Sequence, residues 1–145
     1  MADLQRMGEA HWKGELLKGS GTISTGSGVL RDVPYSVPSR FENAKGTNPE
    51  ELLAAAHAGC FSMALSGQLG AAGMTAESIR TSATLTMEKL DAGWTVTAIH
   101  LDVTAKIPNA DPAKFETAAG NAKSGCPISR LLQGSAQITM DARLE

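Results

Sequence analysis

Between Ile79 and Ile107 apolar and polar residues alternate with a period of two. Ile79, Thr81, Ala83, Leu85 and Met87 stand out of phase with Arg80, Ser82, Thr84, Thr86 and Glu88. Beyond the segment DAGW at 91–94, Ile99, Leu101, Val103, Ala105 and Ile107 alternate with His100, Asp102, Thr104 and Lys106. Such a period predicts an antiparallel hairpin with one buried and one wet face. A last strand places Ala136, Ile138, Met140, Ala142 and Leu144 on one side. The first forty residues also read as strands, EAHWKGELL (9–17) and GSGTIST (19–25) joined by a turn at Lys18-Gly19. After SGVLRDV comes PYSVPSRF (34–41), which Pro34 and Pro38 confine to an edge or irregular strand.

Two segments break the period of two. Asn48 is a good N-cap, Pro49 suits a first helical position and Glu51 completes a capping-box pattern, so a long helix starts here and ends at Gly70 and Gly73. NADPAKFETAAGNAKSG (109–125) predicts a second helix, opened at Asp111-Pro112 and stopped by Gly125, with a short helix PISRLLQ after Cys126. Strands, helix, hairpin, helices, strand is the order of an α+β fold, and the 145 residues suit a single domain, 1–145, without repeats or linkers. The long helix is apolar or small on nearly every side from Leu52 to Leu69. A helix of that kind must be covered all round, more than one modest sheet provides, which predicts a homodimer with this helix near the interface, the alternative being a monomer that wraps its own helix.

Composition narrows the function. A net charge of −2, six aromatic residues and no Lys/Arg run give no reason to expect nucleic acid or an anionic membrane. The uncharged stretch of the long helix, interrupted by His57, Ser62, Ser66 and Gln68, reads as a buried helix rather than a membrane span. The N-terminal stretch lacks the apolar core of a secretory leader, so the expected location is cytoplasmic, where a standing structural disulfide is disfavoured. A zinc site from Cys60, Cys126 and His57 would lack a fourth ligand. The two cysteines are then either silent or a working pair.

Cys60 lies about three turns into the long helix, where a free thiol of pKa near 8.5 is only about 3% thiolate at pH 7, burial lowers that further, and the helix dipole has faded. Activation requires a side-chain cation. At ~4 Å and an effective dielectric of ~20, one arginine contributes about 4 kcal/mol, roughly three pKa units before desolvation. Arg40, just before the helix, could be aimed by Glu50 or Glu51 in its first turn, and His57 shares a face with Cys60. Each also has a plain structural role open to it: a solvated charge, helix-end carboxylates, a packed histidine. Cys126 precedes Pro127 as the cap of the short helix, where free N–H groups favour a thiolate. Local physics leaves open which sulfur attacks first.

The stretches GTNPEELLAAAHAGCFSMALSG (46–67) and SGCPISRLL (124–132) closely resemble the osmotically inducible protein C and organic hydroperoxide resistance (OsmC/Ohr) family. The similarity runs nearly full length, from HWKGELLKGSGTISTGSGVL through PYSVPSRFE, and GTNPEELLAAAHA is closer to the osmotically inducible branch. The resemblance implies a stress-defence thiol peroxidase for organic hydroperoxides, with no metal or organic cofactor. Cys60 matches the family's peroxide-attacking cysteine, Cys126 its resolving cysteine, Arg40 the arginine that polarises thiolate and peroxide, and Glu50 the glutamate that holds it; His57 and Glu51 are not among its usual catalytic residues. The implied cycle runs through a Cys60 sulfenic acid and a Cys60–Cys126 disulfide, reduced by an external dithiol, often a lipoylated protein. The implied fold has antiparallel sheets wrapped around central helices in an intertwined homodimer.

Two rival readings make different predictions. In a dimer that binds a small apolar ligand, Cys60 is core and no thiol is lost to peroxide. In a cysteine hydrolase, His57 is the one candidate base for Cys60, and its replacement by asparagine abolishes activity.

Overall fold

The computed structural model describes residues 3–145; Met1 and Ala2, at the start of the stretch read above for a leader, lie outside it. The described chain forms an α+β fold of two three-stranded sheets and four helices. It divides into two compact units, one running to Leu52 and the other from Leu53.

The first unit holds β1 (Gly8–Lys13), β2 (Ser20–Thr25) and β3 (Val33–Tyr35) as an antiparallel sheet in that order. β1 is shorter than the sequence pattern predicts. The chain turns away at Gly14, which takes φ +90°, and re-enters at Gly19, whose N–H donates to the Glu15 carbonyl at 2.8 Å. Pro34 is tolerated because β3 is an edge strand. The expected strand does not run on to Phe41. Ser36 instead caps a short helix, α1 (Val37–Phe41), accepting from the Ser39 N–H while the Ser39 hydroxyl accepts from the Ser36 N–H. Pro38, within the first turn, forfeits an N–H that has no helical partner there.

On the sheet, the Trp12 and Tyr35 rings meet edge to face with centroids 5.4 Å apart. They flank Gly21 of the central strand, where a Cβ would lie 2.5 Å from the Tyr35 ring, 2.6 Å from the Trp12 ring and 2.7 Å from the His11 carbonyl. Gly21→Ala is therefore expected to destabilise the protein by about 1–3 kcal/mol, measured as a lower midpoint in urea by circular dichroism.

α2 (Pro49–Ala71) begins in the first unit and continues into the second. Asn48 accepts the Glu51 N–H at 2.7 Å, as its capping role requires. Beyond it the second unit contains β4 (Ser78–Leu90), β5 (Gly93–Lys106), α3 (Pro112–Gly125), α4 (Pro127–Leu132) and β6 (Gln137–Leu144). β4 and β5 form the expected hairpin, and Ile99, Leu101, Val103, Ala105 and Ile107 are its buried face. The sheets are not wholly antiparallel. α3 and α4 carry the chain back across, so β6 runs parallel to β5, Ile99 opposite Ile138 and Val103 opposite Ala142.

By length and composition α2 could cross a membrane. Its residues His57, Phe61, Leu65 and Leu69 nevertheless form a buried stripe at i, i+4, i+8 and i+12, and the three apolar ones share a core with Leu101, Val103 and Ala105 of β5 and Phe115, Ala118 and Ala122 of α3. Within one chain α2 is covered on this face and not all round: Met63 is 79% exposed. One sheet and one helix layer can bury only one stripe.

Candidate active site

The first unit prepares an arginine. The Ser39 hydroxyl donates to the Thr47 carbonyl at 2.8 Å, and the Asn48 side-chain amide donates to the Ser39 carbonyl at 3.1 Å, so α1 is tied to the start of α2. Gly46, at φ +121°, lets the chain pass against Pro34, whose carbonyl would lie 2.5 Å from a Cβ there. Arg40 on α1 and Glu50 in the first turn of α2 are thereby brought together. Arg40 Nη2 donates to Glu50 Oε1 at 2.6 Å, and Nε donates to both carboxylate oxygens at 2.9 and 3.1 Å. This two-pronged pairing fixes the plane of the guanidinium, which no single contact would do. The guanidinium also lies 5.4 Å from the centre of the Phe41 ring. Beside it Trp12, Leu16, Tyr35 and Val37 line a largely apolar hollow that Arg40 borders. Glu51 is engaged differently, accepting the Thr47 hydroxyl at 2.8 Å.

The second unit prepares the thiols. Cys60 is half-buried on α2 at the edge of the apolar core, Cys126 is buried between α3 and α4, and both are free. Cys126 closes one helix and opens the next: its N–H donates to the Ala122 carbonyl at 3.1 Å, and its sulfur accepts the Ser129 N–H at 3.4 Å. The neighbouring N–H, that of Ile128, is directed at the Cys60 sulfur. One turn of α4 thus supplies consecutive donors to two different sulfurs. Burial holds the Cys60 thiol above its ordinary range; the Ile128 N–H works against that, and the adjacent Cys126 thiol raises it further by hydrogen bonding and by charge. The two sulfurs lie side by side and Cys60 is held protonated, so ionising it requires a cation beyond what this unit supplies.

His57 is wholly buried one turn before Cys60. Its Nε2 lies 2.7 Å from the Ser129 hydroxyl, while its Nδ1 has no hydrogen-bond partner among the described residues. Burial depresses its basicity, which keeps the ring neutral near pH 7. Nε2 is engaged by Ser129, and neither ring nitrogen hydrogen-bonds Cys60, so the contact that the hydrolase reading calls for is not made. Ser129 carries no signal in the sequence, because only folding brings it opposite His57, 72 residues away. α1, by contrast, does carry one, since the serines three apart around Pro38 are a readable capping signal. No group of three or more His, Cys, Asp or Glu side chains placed to hold a metal occurs among the described residues.

Two adjacent free cysteines, one on a helix and one at a helix junction, in an α+β fold, are an arrangement suited to thiol-based redox chemistry. Residues 42–141 match the OsmC-like protein family, and the chain belongs to it. It is 49% identical to peroxiredoxin OsmC of Escherichia coli (strain K12) across 98% of each chain. Identity to organic hydroperoxide resistance protein OhrB of Bacillus subtilis (strain 168) is 29% across 86% of this chain and 90% of that one, which places the chain nearer the first branch. A crystal structure of an organic hydroperoxide resistance protein OsmC from Legionella pneumophila superposes with a TM-score of 0.76, covering 98% of each chain at 21% identity, a likeness of fold. The chain is accordingly a peroxiredoxin-like oxidoreductase.

Proposed function

We propose that this enzyme reduces organic hydroperoxides to alcohols through a Cys60 sulfenic acid and a Cys60–Cys126 disulfide. The observation that carries the reading is the pair of free thiols held side by side, each with an N–H of the same helical turn directed at it. The Cys60 thiolate attacks the distal peroxide oxygen, the O–O bond breaks, and the alkoxide takes a proton to leave as alcohol. The sulfenic acid then condenses with the Cys126 thiol, releasing water and forming the disulfide. An external dithiol, such as a lipoylated protein, restores both thiols by exchange. No metal or organic cofactor takes part. Arg40, oriented by Glu50, supplies the cation that the Cys60 thiol lacks and stabilises the developing alkoxide.

The substrate preference follows from the apolar hollow beside Arg40, which suits a hydrocarbon tail with one polar O–O group. The name of the Bacillus subtilis relative, an organic hydroperoxide resistance protein, supports the same class. The working state is a homodimer in a reducing cytoplasm. Leu16 and Leu17 of the first unit, Met63 of α2 and Leu131 of α4 are between 69% and 79% exposed in a single chain, and a second copy would cover such surface.

The test is a free-thiol count with intact mass after one equivalent of cumene hydroperoxide, beside hydrogen peroxide. The expected result is loss of both thiols with two hydrogens of mass, faster with the organic peroxide, and a trapped sulfenic acid on Cys60 in C126S. Survival of both thiols in excess peroxide would overturn the reading.

A further inference from the structure

The buried side chain that the proposed cycle leaves unused is His57. It occupies the first position of the α2 stripe completed by Phe61, Leu65 and Leu69, where an apolar residue would meet the same packing need. Instead a polar ring is wholly buried with Nδ1 unpartnered among the described residues, an arrangement that carries a desolvation penalty. The ring's other nitrogen is engaged. Nε2 lies 2.7 Å from the hydroxyl of Ser129, itself wholly buried, and the Cys126 thiol donates to that hydroxyl at 3.1 Å. The three groups form one line: thiol, hydroxyl, imidazole. With the thiol proton on the Ser129 oxygen, the serine's own proton is free to point at His57 Nε2. The Ser129 N–H, 3.4 Å from the Cys126 sulfur, donates to the charge that deprotonation would leave there.

We propose that His57 and Ser129 form a proton relay that deprotonates Cys126 for its attack on the Cys60 sulfenic acid. Ser129 is the catalytic member because it touches the reacting sulfur; His57 acts through it and is a positioning residue. The inference rests on the two-cysteine cycle proposed above. In the step, the Cys126 proton passes to the Ser129 oxygen as the serine proton passes to His57 Nε2. An electron pair of Cys126 forms the S–S bond, so Cys126 is oxidised and the Cys60 sulfur reduced. The S–O bond of the sulfenic acid breaks, its oxygen leaves as hydroxide, and a proton equal to the one held on His57 converts it to water. The balance is one thiol and one sulfenic acid giving one disulfide and one water, and the oxidant is the sulfenic acid made by the peroxide step.

This arrangement separates the demands on the two sulfurs. Cys60 must be ionised before peroxide arrives and depends on a cation. Cys126 must stay protonated until the sulfenic acid exists, because a second anion beside Cys60 would oppose ionisation of the first. A buried neutral base reached through a hydroxyl meets that timing. It removes the proton only as the S–S bond draws charge off Cys126.

Single-turnover mixing with one equivalent of cumene hydroperoxide tests it, with sulfenic acid followed as the dimedone adduct and disulfide by intact mass. In Ser129→Ala and His57→Asn the rate of disulfide closure divided by the rate of sulfenic acid formation should fall at least about ten-fold, so that sulfenic acid accumulates. Ser129→Thr, which keeps a hydroxyl, should recover most of the ratio. The double variant should close no more slowly than the slower single one, because one relay can be broken only once. A wild-type ratio in Ser129→Ala, or failure of threonine to rescue, overturns the relay and leaves the hydrogen bond as a tether between α2 and α4. If His57→Asn does not fold, the alanine and threonine pair decides alone. Failure of the underlying cycle is seen separately, in the parent enzyme: with no disulfide formed there, the relay falls with it.

Discussion

Cys60→Ser is expected to abolish peroxide reduction, a loss of at least about 10³-fold, with the fold retained. The reason is electronic. Attack on an O–O bond needs a soft, ionisable nucleophile, and a serine hydroxyl is neither at neutral pH. The exchange of sulfur for oxygen at a half-buried position with a backbone donor is mild for the fold, and a stability change within about 1 kcal/mol is expected. Peroxide consumption with a dithiol reductant, beside a urea melt, measures both. Cys126→Ser is the necessary contrast: it should still consume one equivalent of hydroperoxide and then stall. If Cys60→Ser kept that single turnover and Cys126→Ser lost it, the roles of the two sulfurs would be reversed. The capping position of Cys126 makes that order a reasonable rival from local physics alone.

Replacing Arg40 should produce the second-largest loss. Cys60 is held protonated by burial and by Cys126, with the Ile128 N–H working against them. Without a cation the thiolate fraction at pH 7 lies below the roughly 3% of a free cysteine, a penalty of at least about 30-fold. Loss of charge stabilisation on the departing alkoxide deepens it, so Arg40→Ala should lower kcat/KM by about 10² to 10³-fold. The sign of the pH dependence separates this from a binding defect. A thiol held above its ordinary range ionises as pH rises, so the variant should regain activity toward alkaline pH while the parent enzyme changes little. Arg40→Lys keeps the charge but gives up the donation from Nε to both Glu50 oxygens, and should fall between the two. A pH-independent loss would assign Arg40 to substrate binding only.

Much of the architecture was legible from the chain because it is written in local periods. The alternation of Ile99, Leu101, Val103 and Ala105 marks the buried face of β5, and Asn48, Asp111 and Gly125 mark helix ends, each through a preference expressed within a few residues. The misreadings fall where a choice was not local. Val37–Phe41 lies in the segment that Pro34 and Pro38 mark as an edge or irregular strand, yet the Ser36–Ser39 box and the bond from Ser39 to Thr47 turn it into α1. The direction of β6 depends on how two helices return the chain, about which its own alternating residues are silent. The all-round apolar character of α2 was plain, but how much of it one chain covers was not.

The site divides in the same way. The residue types, two cysteines, an arginine and a carboxylate, and the expectation that Cys60 needs a cation, follow from the sequence and from elementary thiol chemistry. The pairing of Arg40 with Glu50 could be anticipated because they are only ten residues apart around a helix start. That Cys126 adjoins Cys60, that Ile128 donates to the sulfur, and that Ser129 joins Cys126 to His57 were decided by tertiary structure alone. Sequence determines what a residue can do within about one turn of its neighbours. Hydrogen bonds and thiol pairs spanning 66 or 72 positions exist only once burial of the core has offset the entropy of closing so long a loop.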